Sequence, residues 1–273
     1  MEILLLGTAA AESWPAPFCR CDACTQARKL GGKNIRTRSG ALIDGTVKVD
    51  FGPDTYSQMH REALDLGSIT TLVFTHEHDD HFSPAELQYR KSMFVAGQQP
   101  EPLSVYGNQH VIDTLASTYP EPDALRATLE RPLREFESVT TADGTTILPV
   151  PAVHIPGALL LRISRGGKSL LYGHDSGPFA DDAVEALGAA GALDVAIFDC
   201  TYGATEREYG LHMGLQGVAS TIERLRAVGA VDSGTRLIAT HISHHSGLLH
   251  DQLAERMSPH GIELAYDGMV ISV

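Results

Sequence analysis

The chain has 273 residues, 43% of them hydrophobic, and a formal net charge of −13, which suits one large domain or two small ones with a sizeable buried core. The acidic balance excludes a broad electrostatic grip on nucleic acid, so an anionic substrate must be drawn by local charge. The first apolar segment, 3–6, is short and lacks a basic flank; neither a signal peptide nor a membrane span is read, and a soluble, cytoplasmic protein is expected.

The run 3–6 is the first predicted strand. Cys19, Cys21 and Cys24 then form a C-x-C-x2-C cluster. Such close spacing is unfavourable for a disulfide framework; in a reducing compartment it offers three thiolates to a zinc ion, which needs one further ligand, such as a distant histidine. Apolar runs at 41–43, 47–49 and 69–74 read as strands, and the last leads directly into Thr75-His76-Glu77-His78-Asp79-Asp80-His81. On a loop leaving a buried strand, side chains two and five residues apart converge on one point, and imidazoles and carboxylates are the ligands that Zn, Mn or Fe accept. Ser83-Pro84 with Glu86 predicts a helix start. A strand follows at 103–106, and the polar, proline-bounded stretch 120–132 reads as a surface excursion.

Further strands are predicted at 146–150, 159–163, 169–172, 195–198, 237–239, 262–265 and 269–271. Three histidine-bearing segments follow strands: Val153-His154, Gly173-His174-Asp175 and Thr240-His241. Cys200, beside an apolar run, reads as a small core residue. Apolar spacing predicts helices through Leu215, Val218, Ala219, Ile222 and Leu225, and through Leu249, Leu253 and Met257. His60, His110, His250 and His260 show no partner and read as exposed or capping residues. Many strands with interspersed helices favour a two-sheet core carrying helices outside.

With these motifs in this order, the chain resembles the metallo-β-lactamase-fold hydrolases. The resemblance implies an α/β fold: an αββα sandwich of two mixed β-sheets with helices on the outer faces, one domain over 1–273, with an N-terminal zinc loop at 14–28. It also implies a dinuclear site, with His76, His78 and His154 on one ion, Asp80, His81 and His241 on the other, and Asp175 bridging. One group of true β-lactamases has cysteine at that position, so Asp175 points to the broader hydrolase branch. His174 is expected to face away from the metals. The segment Trp14-Pro15-Ala16-Pro17-Phe18-Cys19-Arg20-Cys21-Asp22-Ala23-Cys24, Thr240-His241-Ile242-Ser243-His244 and Tyr266-Asp267-Gly268-Met269 are similar to the phosphoribosyl 1,2-cyclic phosphate phosphodiesterases of phosphonate breakdown. By position, His244 becomes the fourth ligand of a structural zinc with Cys19, Cys21 and Cys24, and His212 resembles a substrate-side histidine.

The resemblance implies a dinuclear metal-dependent phosphodiesterase acting on a small cyclic phosphodiester such as phosphoribosyl 1,2-cyclic phosphate. Two Zn, Mn or Fe ions lower the pKa of a bound water toward about 7; Asp80 orients it, and His212 binds phosphate or protonates the leaving alkoxide. Arg36 and Arg38 are candidate phosphate contacts, and His245 a candidate supporting residue. A lactonase or thioesterase uses the same ligands, and a metal-binding sensor or carrier without turnover is the alternative outside enzymes. A related cofactor-biosynthesis branch shares similar zinc loops, so the cysteines do not decide the substrate. No basic, Gly-rich arm suited to long RNA is found, no membrane partner is expected, and a homodimer is the prior assembly. Departures at 203–209 leave substrate scope open.

Overall fold

The computed structural model describes residues 1–205 and 210–273; residues 206–209 of the divergent stretch before His212 lie outside the described residues. Fourteen strands form two seven-stranded sheets among the described residues. The first contains β1 (Glu2–Gly7), β2 (Gly40–Ile43), β3 (Val47–Val49), β4 (Thr71–Val73), β5 (Leu103–Tyr106) and β6 (Ala127–Leu129). The second contains β7 (Val139–Thr140), β8 (Thr146–Pro151), β9 (Leu159–Arg165), β10 (Lys168–Gly173), β11 (Val195–Asp199), β12 (Arg236–Thr240) and β13 (Ile262–Leu264). The last strand, β14 (Met269–Ser272), returns to the first sheet beside β1. The orders are β14-β1-β2-β3-β4-β5-β6 and β13-β12-β11-β10-β9-β8-β7. Each sheet is antiparallel at one end and parallel at the other, the parallel part beginning at β3–β4 in one and at β10–β11 in the other.

Side-chain alternation builds the layers. Along β11, Val195 and Ile197 join the core between the sheets, whereas Ala196 and Phe198 face the outer helices. Ile3 and Leu5 likewise turn inward from β1 while Leu6 joins the outer cluster of the first sheet. A strand buried on both faces reads as a continuous apolar run, which is why these segments were legible. The outer layers use α1 (Asp22–Leu30), α2 (Thr55–Glu62), α3 (Gln109–Thr118), α4 (Asp181–Ala189), α5 (Leu215–Ala227) and α6 (His250–Met257). α3 covers the first sheet through Val111 and Leu115; α4, α5 and α6 cover the second through Leu187, Ile222 and Leu253. The expected αββα sandwich is the observed architecture. Cys200 is fully buried in the second-sheet cluster, as expected. No helix among the described residues is long and apolar enough to cross a membrane.

Two local expectations need correction. The segment after Ser83 is a 3-10 helix, Pro84–Arg90, in which Leu87 alone is buried; one apolar anchor gives no stripe for an α-helix to dock. The stretch 120–132 is not merely an excursion: it holds the 3-10 turn Pro122–Leu125 and the edge strand β6, with Leu125 and Ala127 in the core.

Candidate metal centres

The parallel strands end on one edge, and their carboxyl-terminal loops deliver the polar residues there. β4 leads into Thr75–His81, β10 into His174 and Asp175, β11 into Cys200 and Thr201, β12 into His241, and the β8–β9 connection carries His154. Asp50, Asp175 and His241 have φ of 56°, 47° and 58°, a left-handed conformation that side chains other than glycine adopt at a cost. The cost turns each chain sharply out of its strand. Gly52 lets the segment after β3 lie against the ligand loop, since a Cβ there would fall 2.0 Å from the Asp80 carbonyl oxygen.

The resulting donors form two sets: His76, His78, His154 and Asp175, and Asp80, His81, Asp175 and His241, the donor atoms of each lying within 4.8 Å of one another. Asp175 belongs to both. Its Oδ2 lies 3.4 Å from His76 Nε2, 3.3 Å from His81 Nε2 and 3.7 Å from His154 Nε2, while Oδ1 lies 2.7 Å from His241 Nε2. Asp80 Oδ2 is 3.2 Å from His81 Nε2 and 3.7 Å from His241 Nε2, and His154 Nε2 is 3.0 Å from His78 Nδ1. Donors bound to one zinc at about 2.0–2.1 Å stand about 3.3 Å apart in a tetrahedron, so these separations fit cations between them. Among the described residues, Nε2 of His76, His81 and His241 and Oδ2 of Asp80 are buried without a hydrogen-bond partner. Buried polar atoms left this way require an explanation, and a pair of divalent ions is one that satisfies all four.

Hydrogen bonds behind the rings fix which nitrogen faces the centre. Asp50 Oδ2 takes the Nδ1–H of His81 at 2.6 Å, and the Thr75 hydroxyl donates to Asp50 and accepts from His76 Nδ1 at 3.0 Å. Across the site, the Thr201 hydroxyl donates to Asp199 Oδ1 and accepts from His241 Nδ1, both at 2.9 Å. Each ring therefore turns Nε2 inward, the nitrogen whose lone pair a cation would take. Asp199 Oδ2 also accepts from His212 Nδ1 at 2.6 Å, while His212 Nε2 has no hydrogen-bond partner among the described residues. The His212 ring stacks 5.5 Å from that of His241 and lies 4.9 Å from that of His154. Without cations the cluster is strongly polarised. Burial pushes His154 down to about 4; at His241 burial is outweighed by Asp175, Asp80 and Asp199, which hold the pKa at about 10.

The cysteine cluster lies alongside. His244 Nδ1 is 3.7 Å from Cys19 Sγ and 3.6 Å from Cys21 Sγ, and Cys24 completes the group. Tetrahedral zinc with sulfur at about 2.3 Å and nitrogen at about 2.0 Å separates those donors by about 3.5 Å, so this quartet fits a single ion. Burial raises the Cys24 thiol to about 12; zinc favours its thiolate.

Every residue expected in a metal set is thus brought together with its partners, and His212 stands at their rim. Asp50, Asp199, Thr75 and Thr201 were missed, although Asp50 and Asp199 end strand runs in the same way as the histidines that were noticed. His174 is buried and stacked on Tyr172 at 3.9 Å, and is absent from the donor sets. His60, His110, His245 and His260 are exposed. Two expectations are corrected. Arg36 is no phosphate contact: it is 1% exposed and donates to Thr8 Oγ1, the Ala265 carbonyl and His250 Nδ1. His250 is correspondingly a buried acceptor rather than an exposed cap.

Residues 46–242 match the Beta-lactamase superfamily domain. Over its whole length the chain is 26% identical to coenzyme PQQ synthesis protein B of Cupriavidus necator, spanning 99% of that protein. It is 24% identical to coenzyme PQQ synthesis protein B of Azoarcus sp., spanning all of both. A crystallised diphosphatase from the PhnP family superposes with a TM-score of 0.75 at 23% identity, over 100% of this chain and 97% of that one. Zn²⁺-bound PqqB from Methylobacterium extorquens superposes with a TM-score of 0.77 at 18% identity over the full length of both; at these identities both structures speak to the fold. With the domain match covering most of the chain and the two mixed sheets carrying a donor-rich edge, the protein belongs to the beta-lactamase superfamily and has the metallo-β-lactamase fold.

Proposed function

We propose that the protein is a metal-dependent phosphodiesterase that hydrolyses a small cyclic phosphodiester such as phosphoribosyl 1,2-cyclic phosphate. The observation that carries this reading is His212, held by Asp199 at 2.6 Å beside two donor sets that share Asp175. When bound, a pair of divalent ions, Zn or Mn or Fe, neutralises phosphoryl oxygens and lowers the pKa of an attacking water. Asp80, with its buried Oδ2 aimed into the site, directs that water, a role it holds besides being a ligand. His212 is fixed with Nδ1–H on Asp199, so Nε2 is the atom that delivers a proton to the departing oxygen or contacts the phosphate. Hydrolysis of a cyclic ester leaves that oxygen tethered nearby, where a fixed donor can reach it.

The resemblance of the N-terminal cysteine loop and of 240–244 to the phosphodiesterase subgroup supports the phosphate assignment. End-to-end identity with coenzyme PQQ synthesis protein B favours a second reading, a step in coenzyme synthesis. The decisive assay offers ribose 1,2-cyclic phosphate, a lactone and a thioester to metal-loaded wild type, Asp80→Ala and His212→Gln. Phosphodiester cleavage should dominate, vanish in Asp80→Ala and fall about 10²–10⁴-fold in His212→Gln with metal content retained. Acyl preference would replace phosphate with a lactonase or thioesterase reading. Inactivity on all three, with rescue of a strain lacking PQQ synthesis protein B, would favour the second reading; inactivity without rescue leaves a metal carrier.

A further inference from the structure

Glu77 sits between His76 and His78, yet neither donor set includes it. Its carboxylate turns instead to Asn108, the residue that opens α3. Asn108 Nδ2 donates to Glu77 Oε2 at 2.9 Å and to the Gly157 carbonyl at 3.0 Å. Asn108 Oδ1 caps α3 by accepting the Val111 N–H at 2.9 Å, which fixes the orientation of the amide and commits both Nδ2 hydrogens to those two acceptors. The side chain is 6% exposed. One buried amide thus ties the loop carrying His76 and His78 to the β8–β9 connection carrying His154. Gly157, at the turn of that connection, has φ of 84°, and a Cβ there would fall 3.3 Å from Asn108 Nδ2; glycine serves both the left-handed backbone and the close approach.

His154 needs this tie more than its fellow ligands do. Partners stand behind the rings of His81, His241 and His76 at 2.6, 2.9 and 3.0 Å, whereas His154 Nδ1 meets the Leu211 carbonyl at 3.4 Å, a weaker brace. Its placement therefore depends on its backbone. Before His154, the Val153 N–H is fastened to Ser176 Oγ at 3.0 Å. After it, the Ala158 N–H bonds within the turn to the Ile155 carbonyl, and the tie from 155–158 to another element among the described residues is the one from Asn108. We propose that Asn108, with Glu77 as its second acceptor, is a positioning residue for the His76, His78 and His154 set, holding His154 against the ligand loop so that one ion of the pair is bound more tightly. The other set is braced by Asp50 and Thr201 and does not use it. The role is independent of the substrate, so it goes beyond the phosphodiesterase reading and does not rest on it.

The test is a zinc titration of the metal-free chain against a chromophoric chelator, which reads affinity without reference to turnover. Asn108→Ser and Asn108→Asp both keep an oxygen to cap α3 while removing the amide donor, and Asn108→Asp also sets a carboxylate against Glu77. One of the two edge ions should bind about 10-fold more weakly in Asn108→Ser and about 100-fold more weakly in Asn108→Asp. The other edge ion and the ion of the cysteine quartet should stay within about twofold of wild type. Glu77→Ala leaves the cap untouched and should weaken the same edge ion by about 10-fold, so the effect is read even where a change at 108 perturbs α3. Glu77→Gln should bind as wild type, because its amide oxygen still accepts from Asn108, and Asn108→Asp with Glu77→Gln should recover part of the loss. Added to His154→Ala, Asn108→Ser should weaken that ion no further than His154→Ala does alone. Unchanged affinity, equal weakening of every ion, or additive losses in the His154→Ala background would each overturn the assignment and leave Asn108 as a helix cap.

Discussion

The two donor clusters share one edge of the sandwich yet are built in opposite ways. The seven-residue set gathers its members from β4, β8, β10 and β12, each strand locked in a buried sheet, and its rings are held from behind by Asp50 and Thr201. The cysteine quartet takes three donors from one short segment, with Cys21 exposed and Cys19 half-buried, and a single donor from the distant His244. The first set is positioned by the fold before any ion arrives. The second is a local segment that an ion must hold down, and His244, three residues beyond His241, ties that segment to the active edge. Metal should therefore act as chemistry in the first and as structure in the second.

The largest effect should come from the shared ligand. Asp175→Ala removes the donor common to both sets, so metal content should fall by one or two ions per chain and turnover by about 10³-fold or more. The melting temperature should fall, because the ions that stabilise the folded chain are lost and the left-handed backbone at residue 175, φ 47°, suits alanine less well than aspartate. Elemental analysis and calorimetry on the same preparation check this. Full metal content in Asp175→Ala would show that the sets do not depend on their shared member.

Cys24→Ser sharpens the contrast from the other side. Loss of the buried thiolate should cost one zinc per chain and lower the melting temperature by about 5–10 °C, a few kcal/mol for a chain of this size. Turnover per folded molecule should drop far less than in Asp175→Ala. If turnover collapsed while the melting temperature held, the quartet would be part of the reaction machinery rather than a brace.

The same contrast explains what was legible in the sequence. Ligands cluster in sequence where a single loop supplies them, as at His76–His81 and Cys19–Cys24, and those segments announced themselves. The strands were legible because burial on both faces leaves nearly unbroken apolar runs. Helices α1 to α4 were not foreseen: α1 buries only Ala23, Cys24 and Ala27, and α2 only Thr55 and Gln58, so neither shows an apolar stripe, whereas α3 buries Val111, Ile112 and Leu115 and α4 buries Ala183, Val184 and Leu187, short stripes that the strand-rich pattern around them masked. β6 and β7 are too short to stand out from loop sequence. Asp50 and Asp199 act by contact with residues 31 and 13 positions away, and pairing at that range leaves no local pattern. Arg36 and His250 are hidden for the same reason: a buried, fully bonded arginine and an exposed one look alike in sequence.

The smallest expected effect is a pH dependence that separates the metal-free protein from the loaded one. In the metal-free chain the buried His241 has a pKa raised to about 10, because burial is outweighed by Asp175 and Asp80. Unfolded, it titrates near 6.5. A folded pKa above the unfolded one means that the charged ring contributes stability fully below about pH 6.5 and loses that contribution as pH rises toward 10. Burial lowers Lys48 to about 8, the opposite trend, in which stability grows as pH climbs from about 8 toward 10.4. Lys48 is common to both forms and cancels in their difference. Bound metal occupies His241 Nε2 and excludes its proton, so the loaded protein lacks the His241 loss. The gap in melting temperature between loaded and metal-free protein should therefore widen steadily from about pH 6.5 to about pH 7.5, below the range in which free thiols, at about 8.5, ionise extensively in the unfolded chain. Thermal scans of both forms across that window decide it: a gap that is constant or narrows with pH would mean that His241 is not protonated in the metal-free fold, and that the cluster is held by its packing rather than by the charges its ions replace.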